Sequence, residues 1–212
     1  GLCEIDDSVD MAEAALCEPL GVALGTMKKS HAKMGDTCLI IGAGSIGLCT
    51  LAVAKAMGLS KITVAATTEG RLSLAKEMGA YETVATRERD LVSAMLKIHP
   101  EGTDVVIDAT GIEECISRSL KIAKKGGTVV LAGYGRGKIM NIRIDDIHIN
   151  NLHLIGAGNN WNMHKKAASL MADGTISLKP LITEIMPLED FEHAIDLART
   201  RPKGFVKAVF KL

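Results

Sequence analysis

Gly42-Ala43-Gly44-Ser45-Ile46-Gly47 follows directly on the apolar run Thr37-Cys38-Leu39-Ile40-Ile41 and opens the amphipathic stretch 46–57, which sets the glycines on a strand-to-helix turn. That context narrows what the chain can fold into. The first glycine permits a tight turn, the second leaves bare backbone for a pyrophosphate, and the third lets the helix pack closely on the strand. An anion then rests on the helix N-terminus, where unpaired N–H groups and the helix dipole both favour it. Gly42, Gly44, Ser45, Ile46 and Gly47 are therefore candidate dinucleotide-binding residues. A glycine turn without a ligand is the plainer alternative, and the flanking strand and helix weigh against it.

Downstream, short apolar runs keep alternating with helical patterns, the sequence form of repeated βαβ units. The runs 37–41, 61–66, 82–85, 104–108, 127–132 and 152–156 read as strands. Between them, 69–78, 90–99 and 113–123 read as helices, and 161–173 reads as a helix stopped by Gly174. Such a series folds as a doubly wound parallel α/β sheet of order 3-2-1-4-5-6, with ligand along the carboxyl ends of the strands. Beyond it, 181–185 is strand-like, 188–199 is an amphipathic helix and 205–212 alternates apolar with other residues. These exceed what six strands need and read as pieces of a second domain. The expected division is a connecting helix in 1–30, a dinucleotide-binding domain in 31–175 and a C-terminal segment in 176–212.

Composition removes other classes. The 25 basic and 25 acidic side chains of the 212 residues cancel, so nothing in the balance recruits nucleic acid or a membrane surface. No apolar stretch reaches the length of a membrane span, and the first residues lack a signal-peptide pattern, so the chain reads as soluble and cytoplasmic. Cys3, Cys17, Cys38, Cys49 and Cys115 are odd in number and lack metal-site spacing, which suits reduced thiols. With three Phe, two Tyr and one Trp, the core rests on aliphatic residues, as in a parallel sheet covered by helices. His148 and His153 share no helical face and read as surface or loop residues.

Four stretches occur together in order and spacing: Ala15-Leu16-Cys17-Glu18-Pro19-Leu20, the 42–47 turn, Asp108-Ala109-Thr110-Gly111 and Lys203-Gly204-Phe205-Val206-Lys207. On these the chain resembles the C-terminal three-fifths of a zinc-dependent medium-chain dehydrogenase of the sorbitol and threonine dehydrogenase branch, with a Rossmann cofactor domain. The resemblance implies an upstream GroES-like catalytic domain that holds the catalytic zinc, so this chain alone is expected to bind cofactor without oxidising alcohol and without holding zinc. It also implies that Glu18 reaches the zinc or its bound water. Ala109, Thr110, Gly111, Ala132, Gly133 and Tyr134 would line the nicotinamide side, with 156–159 near the carboxamide, and Lys207 would return to the pyrophosphate. The implied reaction is hydride transfer between NAD or NADP and a secondary alcohol, polyol or 3-hydroxy amino acid. A non-catalytic nucleotide-binding or interaction module is the alternative reading.

The cofactor's identity turns on one position. An NAD-binding member ends its second strand with an acid, about twenty residues past the last glycine, that hydrogen-bonds the ribose. Here that position is Ala66, followed by Thr67, Thr68 and Arg71, which leaves space, hydroxyls and a guanidinium for a 2′-phosphate. NADP is therefore favoured over NAD. The sixth strand, at the sheet edge, presents unpaired N–H and C=O groups and is the expected homo-oligomer contact.

Overall fold

A computed structural model describes residues 3–158 and 161–211. Two helices come first, α1 (Met11–Ala14) and α2 (Cys17–Lys29). Asp10 caps α1 by accepting from the N–H groups of Ala12 and Glu13. The alternation that follows runs β1 (Thr37–Ile41), α3 (Ser45–Ala56), β2 (Ser60–Ala66), α4 (Glu69–Glu77), β3 (Glu82–Ala85), α5 (Leu91–Ile98), β4 (Thr103–Asp108), α6 (Glu113–Ile122) and β5 (Ala123–Leu131). After α7 (Ile144–Ile149) come β6 (His153–Gly156) and α8 (His164–Ala172). The strands pair in parallel in the order β3-β2-β1-β4-β5-β6, as expected from the sequence.

Both faces of the central strands are covered, which is why 38–41 of β1 and 105–107 of β4 are continuously apolar. Strand alternation sends Cys38 and Ile40 into one layer, with α2, α3 and α8, and Leu39 and Ile41 into the other, with α5 and α6. Cys38 and Cys49 are fully buried, and burial pushes both thiols up to about 12, so they serve as small apolar residues. At the amino ends of the strands, Asp104 accepts from the Thr37 N–H at 2.9 Å and its hydroxyl at 2.6 Å, and pairs with Lys124 of β5. Burial raises its carboxyl, but the bonds from Lys124 and Thr37 outweigh that and hold it below the ordinary value.

The remaining chain forms β7 (Ile182–Pro187), α9 (Phe191–Thr200) and β8 (Lys207–Lys211), with β7 and β8 paired in parallel as a separate two-stranded sheet. Glu13, buried in α1, fastens this segment by accepting from the Ser177 hydroxyl at 2.8 Å and the Leu178 N–H at 2.5 Å.

Most boundaries match the sequence reading within a residue or two. β5 starts at Ala123 rather than 127, because Ala123 pairs with Thr103 ahead of a shift in register. α7 was not anticipated, and neither was the parallel pairing of β7 with β8. His148 and His153 are exposed on α7 and β6, in keeping with a surface reading. The expected elements at Asn159 and Leu212 lie outside the described residues. Among the described residues, no helix is long and apolar enough to cross a membrane.

Candidate nucleotide site

The chain turns sharply after β1. The Gly42 N–H donates to the Ala65 carbonyl at 2.7 Å, and Gly42 takes φ 105°, a conformation that favours glycine. A methyl group at Gly47 would overlap the Gly42 carbonyl oxygen, so the first and third glycines let α3 sit directly on the turn. Gly44 differs from both. A Cβ there would meet nothing within 4 Å, because that side of the backbone faces open space.

This open space belongs to a cleft of about 1270 Å³ along the carboxyl ends of the sheet. Gly44 is the N-cap of α3 and offers no side-chain cap, and the first turn carries no acid. The N–H groups of that turn and the positive end of the helix dipole therefore face the cleft. Anionic groups are the natural occupants, and a pyrophosphate fits the gap that a side chain at 44 would fill. The residues present thus suit a dinucleotide.

The far wall is built on Asp108, the last residue of β4. It is fully buried, and Oδ1 accepts from the Thr110 hydroxyl at 2.5 Å and the Thr110 N–H at 3.2 Å, while Oδ2 accepts from the Gly111 N–H at 2.9 Å. Burial pushes its carboxyl above the ordinary value, with those hydrogen bonds acting the other way. Its backbone carbonyl also accepts from Ala132 and Gly133, and a methyl at Gly133 would collide with Gly111. One carboxylate thereby fixes the 109–111 turn, and that turn fixes 132–134.

The site residues named from the sequence within the described residues line this one cleft: the 42–47 turn, Ala66, Thr67, Thr68 and Arg71, both turns of the far wall, Lys207 and Glu18. Glu18 lies in the first turn of α2 and is exposed, and it does not cap that helix. Gly156, Ala157 and Gly158 line the cleft as well, whereas Asn159 lies outside the described residues. His164 and Arg201 line the cleft without having been anticipated. Neither carries a local sequence signal, since both arrive from elements remote from the glycine turn. Among the described residues, no three His, Cys, Asp or Glu side chains converge as a metal site would require.

Residues 45–173 match the family model described as "Zinc-binding dehydrogenase". The chain is 32% identical to sorbitol dehydrogenase of Rattus norvegicus over 199 residues, covering 92% of this chain and 56% of that protein. It is likewise 32% identical over 206 residues to a protein of Emericella nidulans named as a probable D-xylulose reductase A, covering 93% of this chain and 56% of the relative. The chain thus spans little more than half the length of these relatives. Among solved structures, one of Sinorhizobium meliloti 1021, provisionally described as a zinc-binding dehydrogenase bound to NADP, superposes with a TM-score of 0.91 at 33% identity. That match covers 99% of this chain and 62% of the other. The (2R,3R)-butanediol dehydrogenase of Bacillus subtilis superposes with a TM-score of 0.90 at 26% identity, over 99% of this chain and 60% of the other.

Proposed function

The chain belongs to the zinc-binding dehydrogenase family, and from that premise we propose that it is the cofactor-holding portion of a dehydrogenase that moves hydride between a polyol or other secondary alcohol and NAD(P). The observation that carries the reading is the uncapped N-terminus of α3, with Gly44 open to a cleft that contains all the candidate residues. In this reading residues 31–175 hold the cofactor, 1–30 connect to a catalytic domain and 176–212 return to it. The α3 N–H groups and Lys207 hold the pyrophosphate, while the turns at 109–111 and 132–134 flank the ring. When bound, the nicotinamide accepts or returns the hydride. Glu18 is the catalytic carboxylate of the proposal. Alone it does not amount to a zinc site. A polyol is favoured because the relatives are named for sorbitol and xylulose, and the buried, unpaired cysteines suit a reducing cytoplasm.

NADP is the favoured cofactor, because Ala66 ends β2 where an NAD enzyme presents an acid. Calorimetric titration is expected to give tighter binding of NADPH than of NADH, and Ala66→Asp is expected to narrow or invert the ratio by roughly tenfold as its carboxylate repels the 2′-phosphate. An NADH affinity tenfold better in the unmodified chain, about 1.4 kcal/mol in the opposite direction, overturns the preference.

The proposed oligomer contact is β6. It is the edge of the sheet, paired with β5 alone, and Leu154 is exposed on it. Light scattering is expected to show a dimer or larger assembly that Leu154→Lys dissociates. A monomeric parent, or a variant that stays assembled, removes β6 from the interface.

A further inference from the structure

The cleft holds more positive charge than its glycine turn requires. Arg71 of α4 is partly buried, and its Nη2 donates to the Phe205 carbonyl at 3.2 Å. Burial and the neighbouring Arg201 cation both push its guanidinium below the ordinary value. Arg201 comes from the other end of the chain. It closes α9 in a left-handed conformation, φ 50° and ψ 60°, where its Nε makes only a long contact of 3.4 Å to the Ala198 carbonyl.

Neither cation is balanced. Among the described residues the ion pairs are Arg118–Glu114, Lys124–Asp104 and Arg143–Asp146, and none involves Arg71 or Arg201. A second hollow, which shares Thr67 and Thr68 with the cleft, differs, since there Arg87 and Lys203 are accompanied by Glu69 and Glu88. Both line one cleft, where two guanidiniums repel and an anion between them converts that repulsion into attraction. Their location selects the anion. Both line the cleft with Thr67 and Thr68, immediately beyond Ala66, at the adenosine end of the proposed site.

We propose that Arg201 joins Arg71 in a clamp for the 2′-phosphate of NADP, so that the C-terminal segment supplies a residue that determines cofactor specificity. The inference rests on the nucleotide reading of the cleft. A phosphate monoester presents three oxygens, and two planar guanidinium forks can engage them where one leaves part of the charge unmet. NADP would then tie α4 to α9, and NAD would not.

The test is calorimetric titration of NADPH, NADH and adenosine 2′,5′-bisphosphate into the parent chain, Arg201→Asn and Arg201→Lys. Asparagine tolerates the left-handed backbone, so it removes the charge without adding strain, and thermal melting without nucleotide verifies that each variant is folded. The expected result is that Arg201→Asn weakens NADPH and the bisphosphate by about tenfold or more, with NADH unchanged within about twofold, and that Arg201→Lys restores most of the loss. Equal losses for NADPH and NADH, or no loss for either, overturn the clamp and leave the nucleotide site standing. A folded parent chain that binds none of the three overturns the nucleotide reading and the clamp with it.

Discussion

Gly44→Val is expected to abolish nucleotide binding while leaving the thermal midpoint near that of the parent, and Gly47→Ala to damage the fold itself. The two positions lie three residues apart in one turn, and the structure gives them opposite surroundings. At Gly44 the backbone is extended, φ −84° and ψ −176°, a conformation any residue adopts, and a side chain would project into open cleft. It would occupy the space through which a pyrophosphate reaches the α3 N–H groups, so affinity should fall by roughly a hundredfold or more. At Gly47 the added methyl meets the Gly42 carbonyl oxygen and, at 3.4 Å, Ile40 Cγ2, so α3 must move off β1. Forced overpacking of this kind costs about 1–3 kcal/mol, which in a domain of this size lowers the midpoint by roughly 2–4 °C per kcal/mol. Thermal melts paired with NADPH titration separate the two outcomes. A Gly44→Val chain that binds with parental affinity shows that nucleotide does not cross the N-terminus of α3.

Asp108→Ala should be the most damaging change away from the glycine turn. It leaves the Thr110 N–H, the Thr110 hydroxyl and the Gly111 N–H without their acceptor, at about 1–3 kcal/mol for each group that finds no water. The interlocked 132–134 turn loosens with it, and NADPH affinity should drop by about tenfold or more. Asp108→Asn keeps one acceptor but turns an amide N–H₂ toward a donor, so its loss should be intermediate. The pH dependence carries a distinctive sign. Burial raises the folded value of this carboxyl, so its contribution to stability is complete below the unfolded value and declines as pH rises through the folded one. The stability of the parent relative to Asp108→Asn should therefore fall as pH climbs from the acid side of the carboxylate range. Urea melts at a series of pH values measure that difference, and a difference that grows with pH contradicts the burial argument.

The parallel sheet was legible because strands buried on both faces carry continuous apolar runs, as 38–41 of β1 and 105–107 of β4 do. The turn after β1 was legible because glycine spacing reports backbone requirements directly. α7 was not, since Ile142, Ile144, Ile147 and Ile149 scatter without a clear period and none of its residues is buried. α2 was anticipated only as a connecting helix. Its Gly21 and Gly25 suggest a weak helix, but Gly21 serves close packing, since a Cβ there would come within 2.6 Å of His164 Cδ2. The least legible feature was the arrival of Arg201 in the cleft that Arg71 lines. Neighbourhood across so long a stretch of chain depends on how β7 and β8 fold back, and no local pattern encodes it.

That fold-back has a consequence for the order in which the molecule matures. The β7–β8 pair is parallel, so its strands cannot meet through a hairpin and must wait for α9 to form the crossover. Until then the six-stranded sheet can assemble, but the cleft lacks the wall that carries Arg201, Phe205 and Lys207. In a chain made from its N-terminus, the strands of the sheet emerge before that wall, and a nucleotide held as proposed meets its full site only once β8 is in place.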